Sequence, residues 1–440
     1  MSAALAATAL VVVAALVGTA IQHSDRSLFV NWPPLFATWE PHIGPGTPAA
    51  LAIAVAVVAY GPVLAARLPW RALLFTVWGT AMAWTFSLAL VDGWQRGIAG
   101  RLTAHNEYLT VIGRFHDIPA TLRDFTHHIL SHSPAPWPAH IAGHPAAATV
   151  TFVLLDRIGL GGGAWAGVWC IVTGAAASAA VLVTVRALSG EALARRAAPF
   201  LVLAPAAIWV GASADGYFAA VAAWAVAFLA LAVTGHRPRT SGLAAGLLFG
   251  LTMYLSYGLT LFAVIAGAAL LLGRRRLAPL PYVVAGLAVV PLVFTLLGFD
   301  WWEAYRLLIT RYYEGVGGTR PYSYWVWANL ACTAVIVGPA TAAGLRRAVS
   351  APGRPRLPDL RGDFRTSSPE PRLALLVLAA LLALLVADLS GMSKAETERI
   401  WLPFAMWLLP ACAFLPRPRA WLAAQAVLAL LLNHLLLTGW

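Results

Sequence analysis

The chain is organised as a series of long, uninterrupted apolar runs separated by shorter polar segments. Most runs contain about 16 to 21 residues rich in Ala, Leu and Val, close to the roughly 20 residues that a helix needs to cross a bilayer. Because the runs are continuous rather than alternating, they predict membrane-spanning helices and not strands. We expect about 13 spans, near residues 3–21, 49–66, 71–91, 163–186, 198–213, 216–234, 241–256, 258–273, 281–299, 325–345, 373–390, 400–415 and 420–437.

One run, residues 241–273, is long enough to be a single helix. Arg237 and Arg239 precede it, and the three arginines of 274–276 follow it. Because basic residues favour the cytoplasmic side, both ends of the run belong there. The sequence therefore predicts two short spans that turn near residues 256–258.

The composition supports lipid as the solvent. Hydrophobic residues make up 60% of the chain, charged residues 11%, and the mean hydropathy is +0.75, which excludes a water-soluble domain of this length. The net charge of +12 comes from arginines scattered through short loops, so it indicates topology and not a nucleic-acid partner.

The placement of charge predicts an orientation. With the N-terminus inside, the cytoplasmic loops hold 19 of the 30 Lys and Arg residues but only four of the 18 acids. This follows the positive-inside rule and indicates a multi-pass protein of the plasma membrane. Three segments, 92–145, 300–324 and 388–399, then lie outside the cytoplasm with most of the titratable side chains.

Two further segments carry specific expectations. The loop 346–372 is rich in Pro, Arg and Ser, which predicts a disordered basic linker near anionic headgroups. The apolar stretch within 145–158 is too short to span the membrane and precedes a span that begins outside. It therefore predicts an amphipathic juxtamembrane helix at the outer interface.

The outer segment 92–145 holds the candidate carboxylates. Asp92 follows a span directly, and Glu107 and Asp117 come later in a stretch rich in His. Any of the three could act as a general base if its surroundings raise its pKa, although an interfacial cap is the simpler interpretation of Asp92 alone. His128 and His132 have the spacing of a shared metal site, but no third ligand accompanies them; a divalent metal is possible and unsupported, and we predict no cofactor.

The other two outer segments combine cations with aromatic residues. In 300–324, Arg320 and Tyr322 follow a dense run of Trp and Tyr, and in 388–399 Lys394, the single lysine of the chain, precedes Glu396 and Arg399. Aromatic faces stack on sugar rings, and Arg pairs with phosphate in a fork geometry. A membrane-interface belt with snorkelling cations is the alternative interpretation of both segments.

The order of several features resembles the N-terminal module of GT-C glycosyltransferases. These features are a loop carboxylate, His144-Pro145 before a short juxtamembrane helix, a glycine-rich turn, Ala204-Pro205 and Ser213-Ala214-Asp215. Many members have a second Pro where this chain has Ala146. Residues 394–403 likewise resemble the Glu-x-x-Arg-aromatic segment that opens a late span in this family. The resemblance implies a conserved module in 71–235 with its large outer loop 92–145 and a variable module in 236–440. The two accessory spans in 1–70 are a departure from many members of the family.

The resemblance also implies an activity. Members of the family transfer a sugar from a polyprenyl-phosphate donor with inversion, using a loop carboxylate as the base. Here the base would be Asp92, Glu107 or Asp117. The donor phosphate and sugar would be held by His144, Arg320, Tyr322, Lys394, Glu396 and Arg399. An Arg-rich, Ala-rich bacterial composition suits an actinobacterial cell envelope, with mannose or arabinofuranose passed to a lipid-linked or envelope glycan acceptor.

A transporter or flippase for a lipid-linked or small solute is the alternative. Such proteins usually bury ionisable groups in the middle of their spans, and the predicted spans of this chain are almost free of them.

Overall fold

The computed structural model describes residues 1–350 and 368–439, and these ranges are mainly helical. The prediction of a disordered linker in 346–372 falls largely on residues outside the described ranges. The α-helices are α1 Ser2–Ser24, α2 Thr47–Arg67, α3 Trp70–Ala89, α4 Ile118–Asp124, α5 Ala139–Gly143, α6 Ala147–Arg157, α7 Gly163–Ser189, α8 Glu191–Val202, α9 Ala207–Val210, α10 Ala214–Val233, α11 Pro238–Leu255, α12 Phe262–Leu272, α13 Leu280–Leu296, α14 Trp301–Glu314, α15 Val316–Thr319, α16 Tyr322–Val349, α17 Pro369–Leu389, α18 Thr397–Ile400, α19 Leu402–Ala405 and α20 Pro418–Leu435.

Short helical turns of other types connect these helices. One is a π-helical turn, Gln95–Ala99. The 3-10 turns are Leu90–Asp92, Arg101–Thr103, Tyr108–Arg114, Phe125–His128, Tyr257–Leu261 and Leu409–Phe414.

Seven helices in the described ranges are long and apolar enough to cross a membrane. They are α1, α2, α3 with its 3-10 extension, α7, α10, α16 and α17. The pair α13 and α14 passes the same test as one unit but bends by 77° at the break between them, which allows up to eight spans. The architecture is that of an all-α polytopic membrane protein.

The structure thus supports seven or eight spans by length and composition, where the sequence predicts about 13. The run 198–213 divides into the end of α8 and the short α9, and the run 400–415 divides into three short helices. Prolines explain both breaks, because each removes a backbone N–H from the helical ladder. Pro205 stands at the first break, and Pro403 and Pro410 stand at the starts of the later short helices, whereas Pro199 lies inside α8. The run 241–273 does break at Ser256, as predicted.

Small residues allow the long helices to pack closely. A side chain at Gly246 in α11 would overlap the backbone carbonyl of Val283 in α13, and one at Gly286 would overlap that of Leu243. Helices in a membrane associate through such close backbone approach, because lipid offers no hydrophobic driving force between them.

A two-stranded antiparallel ribbon joins the segment after α1 to the segment after α20. Strand β1, Ala37–Trp39, pairs with β2, Leu436–Thr438, so that Ala37 faces Thr438. The pairing fixes the segment 25–46, which connects α1 to α2, beside the C-terminal end of α20. The sequence predicts that the last span reaches residue 437, whereas α20 ends at Leu435 and β2 follows it, because three-residue strands leave no periodic pattern in the sequence.

Helix α16 contains a built-in break at Gly338, whose φ of 76° interrupts the helix before Pro339. The amide of Gln425 in α20 compensates for the lost helical bonds. Its Nε2 donates to Val337 O at 2.8 Å, and its Oε1 accepts from Ala340 N at 3.4 Å. Gln425 is fully buried, so α20 supplies the hydrogen bonds that α16 lacks at its kink.

Candidate functional site

Four connecting segments, 25–46, 92–145, 300–324 and 388–399, meet at one end of the helical bundle. We call this end the loop face. Three polar contacts join the segments: Phe36 N donates to Glu398 Oε1 at 2.8 Å, Arg320 Nη1 donates to Glu396 Oε1 at 3.2 Å, and Arg399 Nη2 lies 3.3 Å from His140 Nε2. The three segments predicted to lie outside the cytoplasm therefore contact one another, and the fourth contacts them as well.

A small cavity of about 30 Å³ opens at the loop face. The polar side chains of Arg101, Glu107, Tyr108 and Arg399 form part of its wall, and the remaining wall is made of small residues, namely Ala104, Ala212, Ser213, Ala214 and Gly439. Tyr108 is fully buried, and its hydroxyl has no hydrogen-bond partner among the described residues. Burial, with smaller contributions from Asp215 and Glu107, raises the pKa of Tyr108 well above its ordinary value. Its hydroxyl therefore stays protonated and can donate a hydrogen bond into the cavity.

A buried ion pair adjoins the cavity through Arg399. Arg399 Nη1 donates to Asp215 Oδ2 at 2.6 Å, and each side chain is only 6% exposed. Asp215 occupies the first turn of α10, where its backbone N–H bonds to the Ser213 hydroxyl. Burial alone would lower the pKa of Arg399, but the charges of Asp215 and Glu396 outweigh it and raise that pKa. Arg399 is therefore a permanent cation held at a fixed position.

His140 connects this cation to Glu107. Its Nε2 faces Arg399, which can only donate, so this ring nitrogen accepts and Nδ1 carries the proton. Nδ1 lies 2.9 Å from Glu107 Oε1. The arrangement runs from Asp215 through Arg399 and His140 to Glu107, and it leaves Glu107 at the cavity wall with its side chain 13% exposed.

Asp92 belongs to a neighbouring cluster and does not line the cavity. Its Oδ1 lies 2.7 Å from His42 Nε2, and its Oδ2 accepts from Arg101 Nη2 at 2.9 Å. Arg101 also donates to Thr438 O at 3.0 Å, and burial lowers the pKa of this guanidinium while Asp92 opposes that effect. Both oxygens of Asp92 are therefore engaged, and the carboxylate holds Arg101 in the cavity wall.

Arg320 and Lys394 form a second buried cationic group. Arg320 donates to Leu28 O at 3.1 Å and to Lys394 O at 2.8 Å. Both of its terminal nitrogens also donate to Glu396 Oε1 at 3.2 Å. Lys394 Nζ donates to Gly317 O at 2.9 Å. Burial lowers the pKa of Lys394.

The remaining candidates from the sequence have different surroundings. The Nδ1 of His144 donates to His140 O at 2.7 Å, and burial lowers the pKa of His144 to about 4, so the ring is neutral at pH 7. Tyr322 is exposed at the start of α16, and its hydroxyl donates to Leu389 O at 3.3 Å. Asp117 is exposed and caps α4 by accepting from Ala120 N at 3.0 Å. Asp117 therefore lies outside the cavity group.

The histidine pair considered as a metal site has protein partners instead. His128 bonds to Asp124 and to Pro134 O, and His132 lies 3.9 Å from Glu314. Residues 1–350 and 368–439 contain no group of three or more His, Cys, Asp or Glu side chains that could hold a metal ion.

Sequence reasoning missed four residues that shape this end of the protein. They are His42, Arg101, His140 and Asp215, of which Asp215 was part of the Ser213-Ala214-Asp215 pattern but was given no role in the site. Asp215 had a recognisable signal, because it is a carboxylate inside an otherwise apolar stretch, a position that usually has a function or a partner. The other three are ordinary polar loop residues whose roles depend on contacts between distant segments.

Comparisons with known proteins return a limited result. No protein-family model matches the chain, and no curated protein matches it. Among solved structures, the Archaeoglobus fulgidus oligosaccharyltransferase in complex with zinc and sulfate aligns with a TM-score of 0.47 and 16% identity over 81% of this chain and 51% of that one. Its apo form aligns with a TM-score of 0.44 and 14% identity over 78% and 50%. The chain thus spans about half the length of the archaeal enzyme to which it is similar.

Proposed function

We propose that this protein is a membrane glycosyltransferase of the GT-C type that takes its sugar from a polyprenyl-phosphate donor. The observation that carries the proposal is the cavity at the loop face, whose wall includes a carboxylate, Glu107, and two cations, the half-buried Arg101 and the buried Arg399. A transfer from a lipid phosphate needs a base on the acceptor side and positive charge on the phosphate side. Both lie within one cavity here.

Glu107 is the base that the geometry favours. In the proposed reaction its carboxylate removes the proton of an acceptor hydroxyl as that oxygen attacks the anomeric carbon. The bond from the anomeric carbon to the phosphate oxygen breaks on the opposite face, so the sugar inverts and polyprenyl phosphate leaves with the bonding electrons. The Nδ1 of His140 lies 2.9 Å from Glu107, and in the proposed reaction it would orient the carboxylate. Asp92 is the rival from the sequence, but its two oxygens are engaged by His42 and Arg101.

The leaving phosphate would meet the cations of segments 300–324 and 388–399. Arg320, Lys394 and Arg399 are all buried near Glu396, and fixed cations in a protected site stabilise developing negative charge without reorganisation. His144 is neutral at pH 7 and would contribute hydrogen bonding rather than charge. Tyr322 would contact the sugar or the lipid from the exposed rim.

The placement of Arg along the chain supports the orientation in the proposal, with the loop face outside the cytoplasm in the plasma membrane. The shorter helices would complete the remaining crossings of the expected 13. The acceptor would be a lipid-linked or envelope glycan, and mannose or arabinofuranose would be the sugar in an actinobacterial envelope.

Transfer from lipid-linked donors tests the proposal. Membranes that contain the protein would be incubated with each radiolabelled polyprenyl-phosphate sugar in turn, alongside membranes from cells that lack it. We expect one donor to yield labelled glycan or glycolipid only when the protein is present. Label that crosses the membrane without forming a new glycosidic bond would support the transporter alternative and contradict the proposal.

A further inference from the structure

Glu396 sits where two buried arginines converge. Its Oε1 accepts from both terminal nitrogens of Arg320 at 3.2 Å, and its Oε2 lies 3.9 Å from Arg399 Nη2. The Glu396 side chain is 23% exposed, whereas those of Arg320 and Arg399 are 8% and 6% exposed. The carboxylate therefore covers the two guanidinium groups on the side that faces outward.

The other partners of Arg320 do not neutralise its charge. They are the backbone carbonyls of Leu28 and Lys394, which accept hydrogen bonds but carry no net charge. A carboxylate in this position meets the same donors that a phosphate group would meet, because the guanidinium fork fits both anions. If Glu396 moved outward, Arg320 would keep two donors directed at the place it left.

The backbone that carries Glu396 is suited to such a movement. Ala395 and Glu396 both have left-handed backbone angles, with φ of 68° and 61°. In this region the Cβ of an ordinary residue crowds its own carbonyl, so non-glycine residues rarely adopt it. Two such residues in succession join Lys394, whose amine is anchored to Gly317 O at 2.9 Å, to the helix α18. The segment between these fixed points is short and irregular.

We infer that Glu396 occupies a phosphate-ester site in the unliganded protein and is displaced when a phosphate group binds between Arg320 and Arg399. This deepens the proposed function, on which the identity of the phosphate as that of the sugar donor rests. The site itself requires only an anion with phosphate geometry. Glu396 then competes with the ligand instead of contacting it, which is the opposite of the role expected from the sequence.

Phosphate binding can be measured without any sugar transfer. The full-length protein in detergent would be titrated with farnesyl phosphate, and binding would be followed by calorimetry. A resident competitor lowers the apparent affinity for the ligand, because only the fraction of molecules with an open site can bind it. We therefore expect the Glu396→Gln variant to bind farnesyl phosphate about tenfold more tightly than wild type. Glu396→Asp, whose side chain is shorter by one methylene, is expected to tighten binding as well and serves if the Gln variant does not fold.

Control variants and competitors separate the possible explanations. Glu314→Gln removes an equal charge from the same face, at an exposed residue 3.9 Å from His132, and should leave the affinity unchanged. Arg320→Gln should weaken binding. Equal or weaker binding by folded Glu396 variants overturns the inference.

Competition by inorganic phosphate but not by phosphatidylglycerol vesicles supports the donor as the source of the phosphate group. Competition by the vesicles supports a bulk-lipid headgroup at the same site. If the Glu396 variants bind farnesyl phosphate more tightly but the protein transfers no sugar, the proposed function is rejected and the phosphate site stands.

Discussion

At the scale of single residues, the pair of Asp215 and Arg399 determines the geometry of the site. The two side chains are 6% exposed, and removing one charge leaves the other buried without its nearest counter-charge. Breaking a buried pair in this way typically costs about 3–5 kcal/mol. We expect Asp215→Asn and Arg399→Gln each to lower the melting temperature of the purified protein in detergent by several degrees.

The double variant distinguishes a true pair from two independent effects. Because the same contact is lost only once, Asp215→Asn combined with Arg399→Gln should cost clearly less than the two single changes added together. Asp25→Asn, which alters an exposed carboxylate near Ser27, should leave the melting temperature unchanged. A fully additive double variant would mean that the two side chains do not stabilise each other.

At the scale of elements, the kink in α16 depends on a contact with another helix. Gly338 has a φ of 76°, and a Cβ at this position would overlap Gln425 Oε1. Gly338→Ala would therefore combine left-handed strain with the loss of the hydrogen bonds to Val337 and Ala340. We expect it to destabilise the protein by about 2–4 kcal/mol, measured as a lower melting temperature in detergent.

A second glycine provides the control for this change. Gly267 lies in α12 with an ordinary backbone angle, and a Cβ there would meet no atom within 4 Å. Gly267→Ala should leave stability unchanged or raise it slightly, because Ala favours the helix. If both variants melt at the wild-type temperature, the hydrogen bonds of Gln425 do not stabilise the kink.

The kink also shows how far hydropathy can predict an element. The apolar pattern predicts one span over 325–345, and α16 does cover it. The pattern does not contain the break, although Gly338-Pro339 is a known signal for one. The hydrogen bonds that compensate for the break come from Gln425, which is 85 positions away from Ala340 in the sequence. No local pattern encodes such a contact.

At the scale of the whole molecule, the sequence could predict which segments meet but not how their side chains pair. The distribution of Arg assigns segments 92–145, 300–324 and 388–399 to one side, and the structure brings them into contact. The contact of His42 with Asp92 requires the ribbon between β1 and β2 to hold segment 25–46 nearby. The sequence favours Asp92 as the base because it directly follows a span. It does not reveal the partners of Asp92, because the ribbon pairs residues about 400 positions apart.

The central claim is that Glu107 serves as the base in a sugar transfer at the loop face. It is tested most directly by the initial rate of transfer from the active polyprenyl-phosphate sugar, measured for the purified wild type and for the Glu107→Gln and Asp92→Asn variants. Removing a general base typically costs about 100-fold or more, so we predict that loss for Glu107→Gln. Asp92→Asn should lose less activity, because Asp92 acts through Arg101. A wild-type rate for Glu107→Gln together with an inactive Asp92→Asn would contradict the account and assign the base to Asp92.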